Sequence, residues 1–384
     1  MLTTIFADSF AHYNQAGIPL KWDSAGGAIE TNPAHVRTGP QSLRIQAGSS
    51  PLKSGLGGNG YSVIGFAWQT DTLAGETICS LVDSGSGHVQ VFLVQNANGS
   101  ISLWQGAGGP TLIGTTAAGV LTTGVFWYIE ISINLNSSFP ITCLLTVTSP
   151  LGVASQALSE TGFSTSQSSW DTLTWGGPVA PNHAWVADFY NQSLWDSAGN
   201  PLAVMGAPQI YGLSVPVSDG LDLVAFNTIG KTIAFPGTAA PWWPQVNEIP
   251  QSTAAPIFET DQSVNSPGTI GGWIVCGQAF VFSPSGIPAT PIGAVQVVIL
   301  YAASAGDNAN ENSFGCIQHQ SSDPPNFFQV VAGTGIGLNA GQSKPFAFYE
   351  FPFDLNPFTS APFTLSQFVG SNALQFGPYI GEPA

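Results

Sequence analysis

Val125-Phe126-Trp127-Tyr128-Ile129-Glu130-Ile131-Ser132-Ile133-Asn134-Leu135 is the stretch that decides the fold class. Val125, Trp127, Ile129, Ile131, Ile133 and Leu135 share one face of an extended chain, and Phe126, Tyr128, Glu130, Ser132 and Asn134 take the other. Successive side chains of a strand point to opposite sides, so this period of two predicts a long strand with one face in a core and the other partly wet. Outward from it, the same alternation predicts strands over Ser42–Ala47, Tyr61–Gln69, Thr77–Val82, His88–Gln95, Ser100–Trp104, Ile141–Thr148, His183–Tyr190 and Gln209–Val215. Asn98-Gly99 between two of these signals a tight hairpin of type I′, which needs positive φ. No window carries a helical stripe, although Leu365–Ala373 fits one short helical turn.

Many strands divided by Gly, Pro and Asn predict an all-β protein whose first 216 residues form a sandwich of two antiparallel sheets. The 45 glycines and 29 prolines among 384 residues are too many for a helical protein. Residues 217–262 are rich in Pro, Ala and Thr and read as an extended connector with Pro241-Trp242-Trp243-Pro244 at its middle. Strands resume at Gly272–Ser283, Gly293–Ala303, Ser313–His319, Phe327–Ala332 and Pro345–Phe351, giving a smaller C-terminal β domain over 263–384.

Composition excludes several partners. Only 7% of residues are charged, and six Lys+Arg stand against 22 Asp+Glu for a net charge of −16. Six scattered cations build no basic stripe, so neither nucleic acid nor an anionic membrane surface is expected as a partner. Apolar runs such as Gly293–Ala303 are too short to span a bilayer. The opening MLTTIFADSFAHYNQ lacks the basic and apolar regions of a secretory signal. Cys79, Cys143, Cys276 and Cys316 form no C-x-x-C pair, so no zinc cage is expected. Cys79 and Cys143 lie in apolar strand patterns and read as buried free thiols, with a Cys79–Cys143 or Cys276–Cys316 bridge as the minor alternative.

Enzymatic constellations are sparse. Gly55-Leu56-Gly57-Gly58-Asn59-Gly60 matches a dinucleotide loop in form, but a strand follows it where a helix is required. A retaining glycosidase needs two carboxylates on one strand face. Glu259-Thr260-Asp261 comes nearest but lies in the connector, and Glu130 stands alone among Ile and Ser. No G-x-S-x-G elbow and no H-x-x-x-H pair occurs. The expectation is therefore a protein that is not an enzyme and holds no cofactor or metal. Glycan binding is better supplied, because sugar sites pair a flat aromatic with amide and carboxylate groups. Asp83, His88, Asn98 and Trp104 are the candidate glycan-binding residues. Trp242 and Trp243, held extended by proline, are candidate interface residues.

Several stretches, in order, carry a resemblance to a known family. They are Phe6-Ala7-Asp8-Ser9-Phe10-Ala11-His12-Tyr13 with Lys21-Trp22, Thr38-Gly39-Pro40-Gln41-Ser42-Leu43-Arg44-Ile45, Phe126-Trp127-Tyr128-Ile129-Glu130, and Val186-Ala187-Asp188-Phe189-Tyr190 with Asp196-Ser197-Ala198-Gly199. In the second half Val246–Pro250, Ile292–Val297 and Asn356-Pro357-Phe358-Thr359 with Asn372-Ala373-Leu374-Gln375-Phe376-Gly377 continue the series. Together they resemble tailed-bacteriophage virion proteins whose N-terminal domain is a laminin-G or concanavalin A-like jelly roll. Ala187 and Phe363 depart from the family pattern, where an acidic residue and a tryptophan are usual. The resemblance implies a virion structural protein, as head decoration or tail appendage, made in the host cytoplasm and carried in the particle. It implies other virion proteins as partners, homo-oligomers, and contact with host surface glycans. A stand-alone carbohydrate-binding adhesin module is the alternative reading, and a glycosidase on the same fold is the third.

Overall fold

The computed structural model describes residues 2–10, 15–24, 26–45, 52–56, 60–106, 109–136, 140–176, 184–194 and 205–211, and thereafter 224–225, 269–270, 273–281, 292, 294–303, 311–319, 329–330, 336–338, 344–356, 358–368 and 374–383. The protein is all-β, a concanavalin A-like jelly-roll sandwich followed by a smaller β-rich unit. The two compact units are Met1–Gly212 and Leu213–Ala384.

In the first unit the strands are β1 (Leu2–Asp8), β2 (Ala28–Glu30), β3 (Ser42–Ile45), β4 (Leu52–Lys53), β5 (Tyr61–Thr70), β6 (Glu76–Asp83) and β7 (His88–Gln95). They continue as β8 (Ile101–Gln105), β9 (Thr111–Thr115), β10 (Trp127–Asn134), β11 (Thr142–Thr148), β12 (Ala154–Thr161), β13 (Thr172–Trp175) and β14 (Ala184–Leu194). An eight-stranded antiparallel sheet runs β12-β11-β10-β5-β14-β3-β2, with β1 also paired to β14. A six-stranded sheet runs β4-β13-β6-β7-β8-β9.

The second unit holds β15 (Val224–Ala225), β16 (Thr269–Ile270), β17 (Trp273–Val281), β18 (Val295–Ala303), β19 (Glu311–His319), β20 (Gln329–Val330), β21 (Ile336–Leu338), β22 (Lys344–Phe353) and β23 (Leu374–Pro383). Its main sheet runs β15-β17-β23-β19-β20, with β16 on β17 and β21 on β19, while β18 pairs with β22. Leu365–Phe368 is a short 3-10 turn. Apart from β15, the connector expected over 217–262 lies outside the described residues, and Trp242, Trp243, Glu259 and Asp261 lie outside with it.

The sandwich core is aromatic. Trp22, Trp68, Trp170, Trp175, Phe6, Phe10, Phe66 and Phe189 are all fully buried. Trp175 makes edge contacts with Phe66 at 4.8 Å and Phe189 at 5.7 Å, and Trp22 lies 5.4 Å from Phe6. Each such side chain contributes roughly 1.5–3 kcal/mol by leaving water. Trp175 Nε1 meets no partner among the described residues, while the indole N–H groups of Trp68 and Trp170 are satisfied across the core. Trp68 Nε1 donates to Gln95 Oε1 at 3.0 Å and Trp170 Nε1 donates to Ser62 Oγ at 2.8 Å. Cys79 and Cys143 are free and buried. Burial and the facing Cys143 push the Cys79 thiol well above its usual range, and burial first, then Glu160, pushes Cys143 up to about 12.

Four local expectations are corrected. The second face of the deciding strand is dry, not partly wet: Tyr128, Glu130, Ser132 and Asn134 are at most 3% exposed. Residues 205–211 lie over part of that face. The core face begins at Ile129 rather than Val125, since Val125 is 38% exposed and Trp127 is half-buried at the strand's start. Gln209-Ile210-Tyr211 is not strand. Ala207 at positive φ turns the chain there, and the Ile210 N–H is given to Asp188 Oδ1 at 3.0 Å. The hairpin around Asn98 is not of type I′. Only Gly99 has positive φ, and the Asn96 N–H donates to the Ser100 carbonyl at 2.8 Å across a three-residue loop. A Cβ on Gly99 would meet the Leu121 carbonyl at 2.4 Å, so the position demands glycine twice over.

Candidate functional site

The six-stranded sheet leaves part of its outer face half-open, at Phe92, Val94, Trp104 and Leu112, while Thr77, Ser80 and Ser102 beside them are buried. In β7, His88-Val-Gln-Val-Phe-Leu-Val-Gln95, Val91 and Leu93 point into the core at no more than 2% exposed, which turns Phe92 and Val94 outward. The three-residue hairpin loop pairs Phe92 with Trp104 of β8. Phe92 also pairs with Ser80 of β6, Ser80 with Thr174 of β13, and Trp104 with Leu112 of β9. The result is a transverse row, Thr174-Ser80-Phe92-Trp104-Leu112, spanning about 19 Å at the usual strand spacing. Two hydroxyls stand at one end and three apolar groups at the other.

The Phe92 and Trp104 rings are nearly parallel, 13° apart with centroids at 6.1 Å. Both are half-buried, and Leu112 is 49% exposed. Trp104 turns its Nε1–H inward, where no hydrogen-bond partner meets it among the described residues, and so offers carbon surface outward. A second row, Thr77-Val94-Ser102-Thr115, runs alongside. Ser102 Oγ lies 2.9 Å from Thr115 Oγ1 and accepts from Asn96 Nδ2 at 2.7 Å. A half-open aromatic pair edged by neutral hydroxyls and an amide is a platform that can meet the C–H face of a pyranose or furanose ring and hydrogen-bond its hydroxyls.

The structure brings some of the expected residues together and separates others. Asp83 and His88 are the last pair of the β6–β7 ladder, at the turn that lies beyond the Ser80–Phe92 pair. Asp83 Oδ1 accepts from the Ser86 N–H at 2.7 Å and so shapes that turn. The neighbouring Asp171 accepts from the Ser84 N–H at 2.9 Å and from Ser84 Oγ, and these bonds hold its carboxyl below the usual range against the raising effect of burial. Trp104 sits in the row itself. Asn98 is at the opposite end of β7, where its Oδ1 accepts from the Ser100 N–H and Oγ and closes the hairpin. Phe92, Ser80, Thr174 and Leu112 are not among the residues the sequence pattern singles out. The signal that finds them is strand register, which depends on the loop length.

A second polar cluster lies on the outer face of the eight-stranded sheet, and it is closed. Glu130 on β10 and Tyr190 on β14 both pair with Gly65 on β5 between them. A Cβ on Gly65 would fall 2.1 Å from the Tyr190 ring, so the missing side chain is what lets the phenol cross the strand. Tyr190 donates its O–H to Glu130 Oε1 at 2.6 Å, and the Gly206 N–H donates to the same oxygen at 2.9 Å. Burial raises the Glu130 carboxyl above its ordinary value, opposed by Tyr190 and the backbone N–H groups of Gly206, Ala207 and Met205. Burial raises the Tyr190 phenol too, and the Glu130 charge adds to it. Beside them Asp188 sits at a bulge of β14 with positive φ, where the strand passes its edge from β3 to β1. It pairs with Arg37 and accepts from Thr38 Oγ1 at 2.8 Å. Arg37 also donates to the Pro208 carbonyl at 2.8 Å and stacks 4.8 Å over Tyr128. These bonds fasten 205–211 to the sheet.

Among the described residues, no group of three His, Cys, Asp or Glu is placed to hold a metal ion. Among them, too, no helix is long and apolar enough to cross a membrane.

No family model and no curated protein matches this chain. Solved structures do. An alginate lyase from Aplysia kurodai is similar over 50% of this chain and 100% of its own, at 12% identity and a TM-score of 0.38. The carbohydrate esterase of the Shiga toxin-encoding bacteriophage phi24B covers 50% of this chain and 99% of its own, at 13% identity and a TM-score of 0.34. The carbohydrate-binding module CBM66 from Bacillus subtilis covers 50% and 95%, at 8% identity and a TM-score of 0.30. Two of these three are enzymes. The expectation of a non-enzyme, drawn from missing motifs, is withdrawn on that finding, since catalytic and binding proteins alike are found among the similar structures.

Proposed function

We propose that the chain binds glycan on the outer face of its six-stranded sheet and does so as a component of a tailed-phage particle. The Phe92–Trp104 pair carries the first half of this reading. Two parallel rings, left half-open beside Leu112 and flanking hydroxyls, lose stabilisation in water and regain it against the apolar face of a sugar. Asp83 and His88, at the adjacent turn, supply a carboxylate and an imidazole within reach of a chain longer than one ring. The ordered series of motifs from Phe6 to Gly377 supports the virion half.

The test has two arms. Purified protein is screened against a glycan array and against a panel of soluble polysaccharides, with Trp104→Ala and Phe92→Ala beside it. Binding that both substitutions weaken is the expected result, and binding indifferent to them would remove the platform. In the second arm, particles purified from a lysed host are probed for the chain. Its presence supports the virion role, and its absence from particles, with glycan retention intact, would favour the stand-alone adhesin module.

A further inference from the structure

The platform's charge surroundings define which glycan it accepts, and this deepens the glycan-binding reading on which it rests. From Ser54 to Gly230 the sequence contains no Lys or Arg, so β5 to β14, including every strand of the platform except the edge strand β4, carry no permanent cation. The first unit has four cations against eleven carboxylates, counted over residues 1–212. All four are engaged. Lys21 is 0% exposed and stands 4.8 Å over the Phe6 ring. Arg37 pairs with Asp188. Arg44 lies 3.9 Å from Glu30, and Lys53 lies 3.6 Å from Asp23. The titratable groups at the platform's turn are Asp83, Asp171 and His88, of which only one is a base.

A glycan bearing carboxylate, sulfate or phosphate needs charge-assisted hydrogen bonds from Arg or Lys to replace the water its anions give up. Here it would meet carboxylates and a net charge of −16 instead. Neutral sugars need only stacking and hydroxyl contacts, which Phe92, Trp104 and Thr174 provide. We infer that the ligand of the platform is a neutral polysaccharide, one built of hexose or pentose units without acidic substituents.

The test uses matched polymers and the full chain. Neutral glucans, mannans, galactans and arabinans are tested by affinity electrophoresis or calorimetry, and the 1,4-linked hexose polymers are compared with the same backbones after oxidation of their primary alcohols to uronic acids. Binding of at least one neutral polymer is expected. Its oxidised form should bind about tenfold or more weakly at low salt, a loss of about 1.4 kcal/mol, and added salt should narrow the gap. Trp104→Ala should weaken the neutral binding by about tenfold or more. Trp104-dependent binding of an oxidised form that equals or exceeds the neutral one overturns this inference and leaves the platform standing. Binding that Trp104→Ala does not change, or none to any polymer, overturns the platform reading and the inference with it.

Discussion

The two sheets of the sandwich turn outward two faces of opposite character. On the eight-stranded sheet, Tyr128, Glu130, Ser132, Asn134 and Tyr190 are polar in sequence and dry in the fold. On the six-stranded sheet, Phe92, Trp104 and Leu112 are apolar in sequence and half-open in the fold. Strand alternation assigns side chains to faces but does not say which face is covered. Cover comes from tertiary structure, here in part the strap 205–211 tied by Arg37, Asp188 and Glu130. The polar face is closed, and the aromatic one is left half-open.

The largest expected effect comes from breaching the core between the faces. Ile131→Asp places a charge where exposure is 1% and should leave the first unit unfolded, with no cooperative melt by circular dichroism. Trp127→Asp, at the half-buried strand start, should still fold. Next is Asp188→Ala, which leaves Arg37 without its carboxylate and the Ile210 N–H without its acceptor. A loss of about 3 kcal/mol in urea unfolding is expected, with new protease cleavage at 205–211. Gly65→Ala should cost about 1–3 kcal/mol by displacing the Tyr190 ring, and a second change, Tyr190→Phe, should then cost little more, because the Glu130 bond is already gone.

A smaller effect carries a sign. The Glu130 carboxyl is raised by burial, so the folded state favours its protonated form and folding takes up a proton. Its contribution is therefore fully present at pH values below the ordinary carboxylate range and is lost as pH rises through the raised value. Thermal melts from pH 4 to 8 should show wild type losing ground to Glu130→Gln as pH increases. A gap that is constant with pH, or that moves the other way, would show that Glu130 is not held as described.

Legibility followed pattern strength. The sequence pattern places strand β7 at its observed limits, His88–Gln95, and Tyr61–Gln69 is one residue short of β5, because both are runs rich in β-branched and aromatic residues between turn residues. The strands β9, Thr111–Thr115, and β12, Ala154–Thr161, leave no such pattern in the sequence. Both are edge strands, largely exposed, with no buried face to impose an apolar period. In the site, Trp104 was legible as an aromatic in a hairpin. Phe92 was not, since a two-residue type I′ turn at Asn98-Gly99 would set Phe92 opposite Gln105, and the three-residue loop sets it opposite Trp104. Glu130 looked solitary because its partner Tyr190 is sixty positions away and reaches it only over a glycine.

The contrast between a closed face and an open one is tested most directly at Trp104. The affinity of wild type and of Trp104→Ala for the polysaccharide that wild type binds best should be measured beside their melting curves. Removing a half-buried indole should lower stability by only about 1–2 kcal/mol while weakening glycan binding by about tenfold or more. A folded Trp104→Ala protein that binds as tightly as wild type would contradict the assignment of this face.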